Sequence, residues 1–135
     1  MKYPKDFTVE LSKKPICGVL SVAMIAGCTF AQATNAIKNN MLPHQKRHGG
    51  KTYHEQRIDA LEELGVRFID FEVLERKTLQ RTIHDFCRPG RTYMINTSRH
   101  VVTVCDGEVA DQYEISHIRD HGSKRCFVKN ITEVL

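Results

Sequence analysis

The hydrophobic pattern of this chain changes period at Pro89-Gly90, and that change decides which fold class it can enter. Ahead of the break, apolar residues recur at helical spacing behind capping signatures; beyond it, β-branched residues run in short segments punctuated by turns. Cys17 to about Ala26 is a run of small apolar residues stopped by Gly27, which predicts a helix buried on most sides. Thr29-Phe30-Ala31-Gln32 has capping-box form and opens a second helix to about Asn39. Thr52-Tyr53-His54-Glu55 repeats the form ahead of Ile58, Leu61 and Leu64, with Gly65 as the stop. Thr78 to Phe86 sets Leu79, Ile83 and Phe86 on one helical face. After the break, Thr92–Asn96, His100–Cys105 and Glu108–Asp111 read as strands, with Asp106-Gly107 as a tight hairpin turn. A last strand is expected at Cys126–Lys129, after the polar loop Arg119–Lys124. The alternating segment Val66–Phe71 alone puts a strand ahead of the break. Helices followed by an antiparallel sheet make an α+β fold, and 135 residues fit a single domain, 1–135.

Two stretches carry no helical pattern. Met1 to Lys14 is polar with Phe7, Val9 and Leu11 alternating, which predicts an extended lead-in that pairs as a short edge strand. Met41 to Gly50 holds Pro43, two histidines, Lys46-Arg47 and two glycines, and reads as a basic, mobile loop. The chain shows no internal repeat and no low-complexity tract.

Composition removes several classes of function. The net charge is +4, but 20 basic residues are scattered among 16 acidic ones, which describes a solvated surface. Lys46-Arg47 and Lys124-Arg125 have no aromatic interleaving, so nucleic acid is not an expected partner. Five cysteines with irregular spacing and no Cys-x-x-Cys argue against a disulfide framework and for a reducing, cytoplasmic setting. Cys28 and Cys105, in apolar surroundings, read as core residues. Ile25-Ala26-Gly27-Cys28 has the form of a lipoprotein cleavage box behind Lys13-Lys14, but Asp6 and Glu10 precede it and Pro15 interrupts it, so export is not expected. The apolar run is also far shorter than the ~20 residues that span a bilayer, so no membrane association is expected. His44/His48 and His117/His121 are i,i+4 pairs outside the predicted helices; without Cys-x-x-Cys or His-Glu-x-x-His, neither a metal nor a cofactor is expected.

Cys17 stands at the head of the first apolar helix and His100 at the entry of the valine-rich strand. Helix N-termini carry unpaired N–H groups and positive dipole character, which stabilise a thiolate, and a histidine can serve as its base. Pro15 belongs near a helix start, and Gly18 lets backbone or substrate approach the sulfur closely. Asp111, on the strand returning from the Asp106-Gly107 turn, can orient the imidazole; Asp106 is the alternative orienter. Arg99 flanks the base at the rim.

The segments Cys17-Gly18-Val19-Leu20-Ser21-Val22-Ala23 and Arg99 through Asp111, with Gly90 and Tyr93 ahead of the second, resemble the nucleophile helix and base strand of papain-like cysteine peptidases. The likeness is nearest to bacteriocin-processing peptidase domains and small phage-type relatives. It implies N-terminal helices, the first bearing the nucleophile, packed on a C-terminal antiparallel sheet. It also implies Cys17 as nucleophile, His100 as general base and acid, Asp111 as orienter, and a protein or peptide as substrate. The family places an oxyanion-binding glutamine about six residues before the nucleophile, where this chain has Leu11. Ser12 or Thr8, with the Cys17 backbone N–H, are the substitutes, and Gly18 and Arg99 complete the candidate substrate contacts. Amidase, deamidase and transferase chemistry use the same parts. A catalytically weak or inactive module that binds a protein partner is the alternative.

Overall fold

The computed structural model describes residues 1–45, 52–98 and 100–135. Among these, helices α1 (Val9–Ser12), α2 (Cys17–Ala26), α3 (Phe30–Asn39), α4 (His54–Glu63) and α5 (Leu79–Phe86) accompany strands β1 (Phe68–Glu72), β2 (Thr92–Thr97), β3 (Val101–Cys105), β4 (Glu108–Ala110), β5 (Ile115–His117) and β6 (Val128–Val134). The strands form one antiparallel sheet in the order β1-β6-β2-β3-β4-β5, so the architecture is α+β. No single helix among the described residues is long and apolar enough to cross a membrane.

Both faces of the sheet centre are covered, which explains why β3 is buried without a break from Val101 to Val104. Val101 and Met94 join α2, α3 and α4 in one apolar cluster, whereas Val102, Val104, Tyr93 and Ile95 join Leu79 and Ile83 of α5 in another. Alternate side chains of a strand point to opposite faces, so a strand between two layers has no polar face to show. Thr103, of the same parity as Val101, bonds Ser21 of α2 through hydroxyls 2.8 Å apart. The helix that begins with Cys17 and the strand that follows His100 are thereby joined directly. Gly18 to Ala23 of α2 are all buried, as the run of small residues predicts.

The helix boundaries follow local chemistry. Gly27 ends α2 at φ 66°, a left-handed conformation open to glycine. Thr29 and Gln32 form the capping box of α3. Asp6 adds its carboxylate to the N–H groups of Phe30 (2.7 Å) and Ala31 (3.0 Å).

Several expectations are corrected. The lead-in forms no edge strand: Thr8 caps the short α1 by accepting from Leu11 N–H, and Phe7 and Leu11 pack against the helical core. The box expected at Thr52/Glu55 is displaced by one residue, with the Gln56 side chain accepting from Tyr53 N–H. Thr52 Oγ1 instead accepts from Arg57. The last strand runs Val128–Val134 rather than Cys126–Lys129, and it is interior, paired with both β1 and β2. β5 was not expected. Of the loop expected over Met41–Gly50, positions 46–50 lie outside the described residues, and so does Arg99.

Candidate active site

Cys17 is the first residue of α2, and Ile16 before it offers no side-chain cap. Helical geometry leaves the first N–H groups without intrahelical acceptors, so the sulfur stands at the positive end of the helix. β3 brings His100 to it. Thr97 fixes the entry to that strand, its N–H and Oγ1 both donating to the His100 carbonyl at 2.7 and 2.8 Å.

β4 delivers the carboxylate. Just past its end, Asp111 Oδ1 accepts the N–H groups of Tyr113 (2.8 Å) and Glu114 (3.0 Å), while Oδ2 lies 2.8 Å from His100 Nε2. Asp111 is 5% exposed. Asp106 does the work of a turn: it adopts φ 50° and its Oδ1 accepts from Gly90 N–H at 2.7 Å. Of the two aspartates, Asp111 is the one at the imidazole.

Electrostatics couple the three groups. Burial pushes the Cys17 thiol up, but contact with the His100 ring, the Val101 N–H and the charges of His100 and Arg57 bring it below the ordinary thiol value. For His100, burial disfavours the cation, yet the bonds to Asp111 and Cys17 raise its pKa to about 10. Burial raises the Asp111 carboxyl, and His100 with the two N–H donors draws it below the usual carboxylate range. The site therefore shifts Cys17 toward the thiolate and His100 toward the imidazolium. Cys28 and Cys87 shift the other way: burial raises Cys28, and raises Cys87 to about 12.

Cys17 and His100 open onto a cleft of about 540 Å³ whose wall includes Gly18, Thr52, His54, Arg57, Asn96, Ser98 and Lys129. Gly18 has a different use from the one expected. A Cβ there would collide with Thr52 Oγ1 and meet Arg57 Cδ at 3.0 Å, so the missing side chain makes room for two protein side chains. Ser12 and Thr8 stay in α1, where the Ser12 hydroxyl donates to Val9 O (2.6 Å) and Thr8 Oγ1 caps Leu11.

Three further residues belong to the site. Gln112 Nε2 donates to the carbonyls of Ser12 (2.6 Å) and Lys14 (2.5 Å), tying the residue after Asp111 to the segment ahead of Cys17. His121, 1% exposed, accepts from Ser123 N–H at Nδ1, which leaves Nε2 as the donor, 3.5 Å from Asp111 Oδ2. Arg57 lies against Gly18. The spacing of His121 from His117 was a visible signal, but for metal: among the described residues no cluster of metal-binding side chains exists, and His48 of the other pair lies outside them. Gln112 and Arg57 carried no signal in the sequence.

No family model matches the chain, and no curated protein matches it.

Proposed function

We propose that this chain is a papain-like cysteine hydrolase that cleaves amide bonds of a protein or peptide through Cys17, His100 and Asp111. One observation carries the reading: a thiol at a helix start in contact with an imidazole whose far nitrogen is 2.8 Å from a buried, doubly N–H-bonded carboxylate. The Cys17 thiolate attacks the carbonyl carbon, and the oxyanion develops beside the Cys17 backbone N–H. Collapse breaks the C–N bond, and the His100 imidazolium gives its proton to the departing amine. Water then attacks the thioester, His100 takes its proton, and the carboxylic acid leaves as the thiolate is restored. Asp111 keeps Nε2 protonated and turns Nδ1 toward the sulfur throughout. Five unpaired cysteines accord with a cytoplasmic setting.

A second reading, a module of the same architecture that binds a protein partner without turnover, has its own support. Leu11 packs into the core at the position the family gives to glutamine, and the Ser12 hydroxyl is engaged within α1. Losing an oxyanion donor costs ~10²–10³ in rate. Alkylation of the native protein by iodoacetamide at mildly acidic pH, mapped by mass spectrometry, separates the readings. The hydrolase reading expects Cys17 to be labelled ahead of the other four cysteines, and the preference to vanish in H100A. Equal labelling of all five would remove the catalytic reading.

A further inference from the structure

We propose that the Cys17 cleft takes acyl substrates carrying a carboxylate near the reacting carbonyl, held by Arg57 with Lys129 at the rim. The proposal rests on the hydrolase reading and adds the substrate's charge. Among the described residues lining the cleft, His54, Arg57, His100 and Lys129 are basic, and none is Asp or Glu. The nearest carboxylates are engaged behind the wall. Asp111 serves His100, and Asp70 lies 2.8 Å from His54 Nε2 through one oxygen while the other accepts from Thr132 Oγ1.

Arg57 has no counter-ion of its own. It is 3% exposed, and Nη1 donates to two neutral acceptors, Thr52 O (3.1 Å) and Thr52 Oγ1 (2.9 Å). Its Nε is buried without a hydrogen-bond partner, and among the described residues no carboxylate lies within ion-pairing distance of it. Removing a cation from water is unfavourable unless an anion meets it, and burial lowers the Arg57 pKa to about 10 even though the charges of Cys17 and Asp70 act against it. The neighbouring thiolate is already paired with His100. The side chain occupies the notch that Gly18 leaves, with Cδ where a Cβ of Gly18 would stand close, and Arg57 lines the cleft with Cys17, on whose thiol its charge acts. A carboxylate arriving with the substrate supplies the missing charge, and guanidinium geometry suits it.

The near-isosteric pair iodoacetate and iodoacetamide tests this on the full-length protein. Rates of Cys17 modification by each reagent are measured by mass spectrometry at one pH, and their ratio cancels changes in thiolate content. The expected acetate-to-amide ratio at Cys17 exceeds that of a free cysteine derivative about tenfold. It falls several-fold in R57Q or in K129E, the latter an exposed position that decides the matter if R57Q does not fold. Ratios unchanged in the folded variants would overturn the carboxylate proposal while leaving the reactive thiol intact. Slow, unselective modification of Cys17 by both reagents would remove the hydrolase reading and this inference together.

Discussion

Replacing Asp111 by Asn tests the hold of the carboxylate on His100 with little change of shape. The amide oxygen can still accept from Tyr113 and Glu114, which hold Oδ1 at 2.8 and 3.0 Å, so the turn after β4 survives. What disappears is the negative charge 2.8 Å from His100 Nε2, in a group only 5% exposed. An opposite charge at this range shifts a pKa by about 1–3 units. His100, raised to about 10 in the native protein, should therefore titrate in D111N between about 7 and 9. The sign is fixed by the direction of the shift. The imidazolium stabilises the native site fully below the ordinary histidine value, and that contribution is lost as pH rises through about 10, or through the lower value in the variant. Ring carbon and nitrogen chemical shifts followed by NMR across the alkaline range read His100 directly. An alkaline inflection that stays put in D111N would refute the argument that Asp111 holds the proton on this ring. D111A is the contrasting variant: it loses the same charge and also strands the two N–H donors, at roughly 1–3 kcal/mol each, so it should lower the urea midpoint further than D111N does.

Two further substitutions probe the scaffold. Gly18→Ala forces Thr52 and Arg57 out of the notch, so denaturation should show a loss of about 1–3 kcal/mol, with slower Cys17 alkylation than wild type; an unchanged protein would mean the notch is not needed. In S21A and T103V, each single change removes a partner from the buried 2.8 Å hydroxyl pair and should cost about 1–2 kcal/mol, whereas the double variant should cost clearly less than the sum; strict additivity would show that the pair does not couple α2 to β3.

The parts of the site legible in the sequence are those set by local rules. Small apolar residues between Pro15 and Gly27 define α2 and place Cys17 at its start, and Asp106-Gly107 turns β3 back into β4 so that Asp111 returns toward His100. The parts not legible there depend on contacts between distant segments. β6 shows no alternation because Ile131 and the adjacent Thr132 are both buried, one in the apolar cluster and one on Asp70. Arg57 looks like a solvent-facing residue of a charged helix, yet it is buried, with its Cδ in the space left by the absent side chain at Gly18, far away in sequence. The alternation of Phe7, Val9 and Leu11 suggested a strand, but Val9 is 74% exposed and one cap from Thr8 was enough to wind the segment. Asp111 is favoured over Asp106 by sequence alone, because Asp106 sits in the Asp-Gly turn after β3 whereas Asp111 follows β4, and the φ of 50° at Asp106 agrees with a turn role.

The most direct test of the acyl-transfer claim uses p-nitrophenyl acetate, an active ester that asks little of substrate recognition. Intact-mass and peptide mapping should find one acetyl group on Cys17 early in the reaction, followed by continued release of nitrophenol well beyond one equivalent as His100-activated water clears the thioester. H100A should lose that turnover. No acetyl group on Cys17, or a single acetylation that never clears in the native protein, would contradict the account.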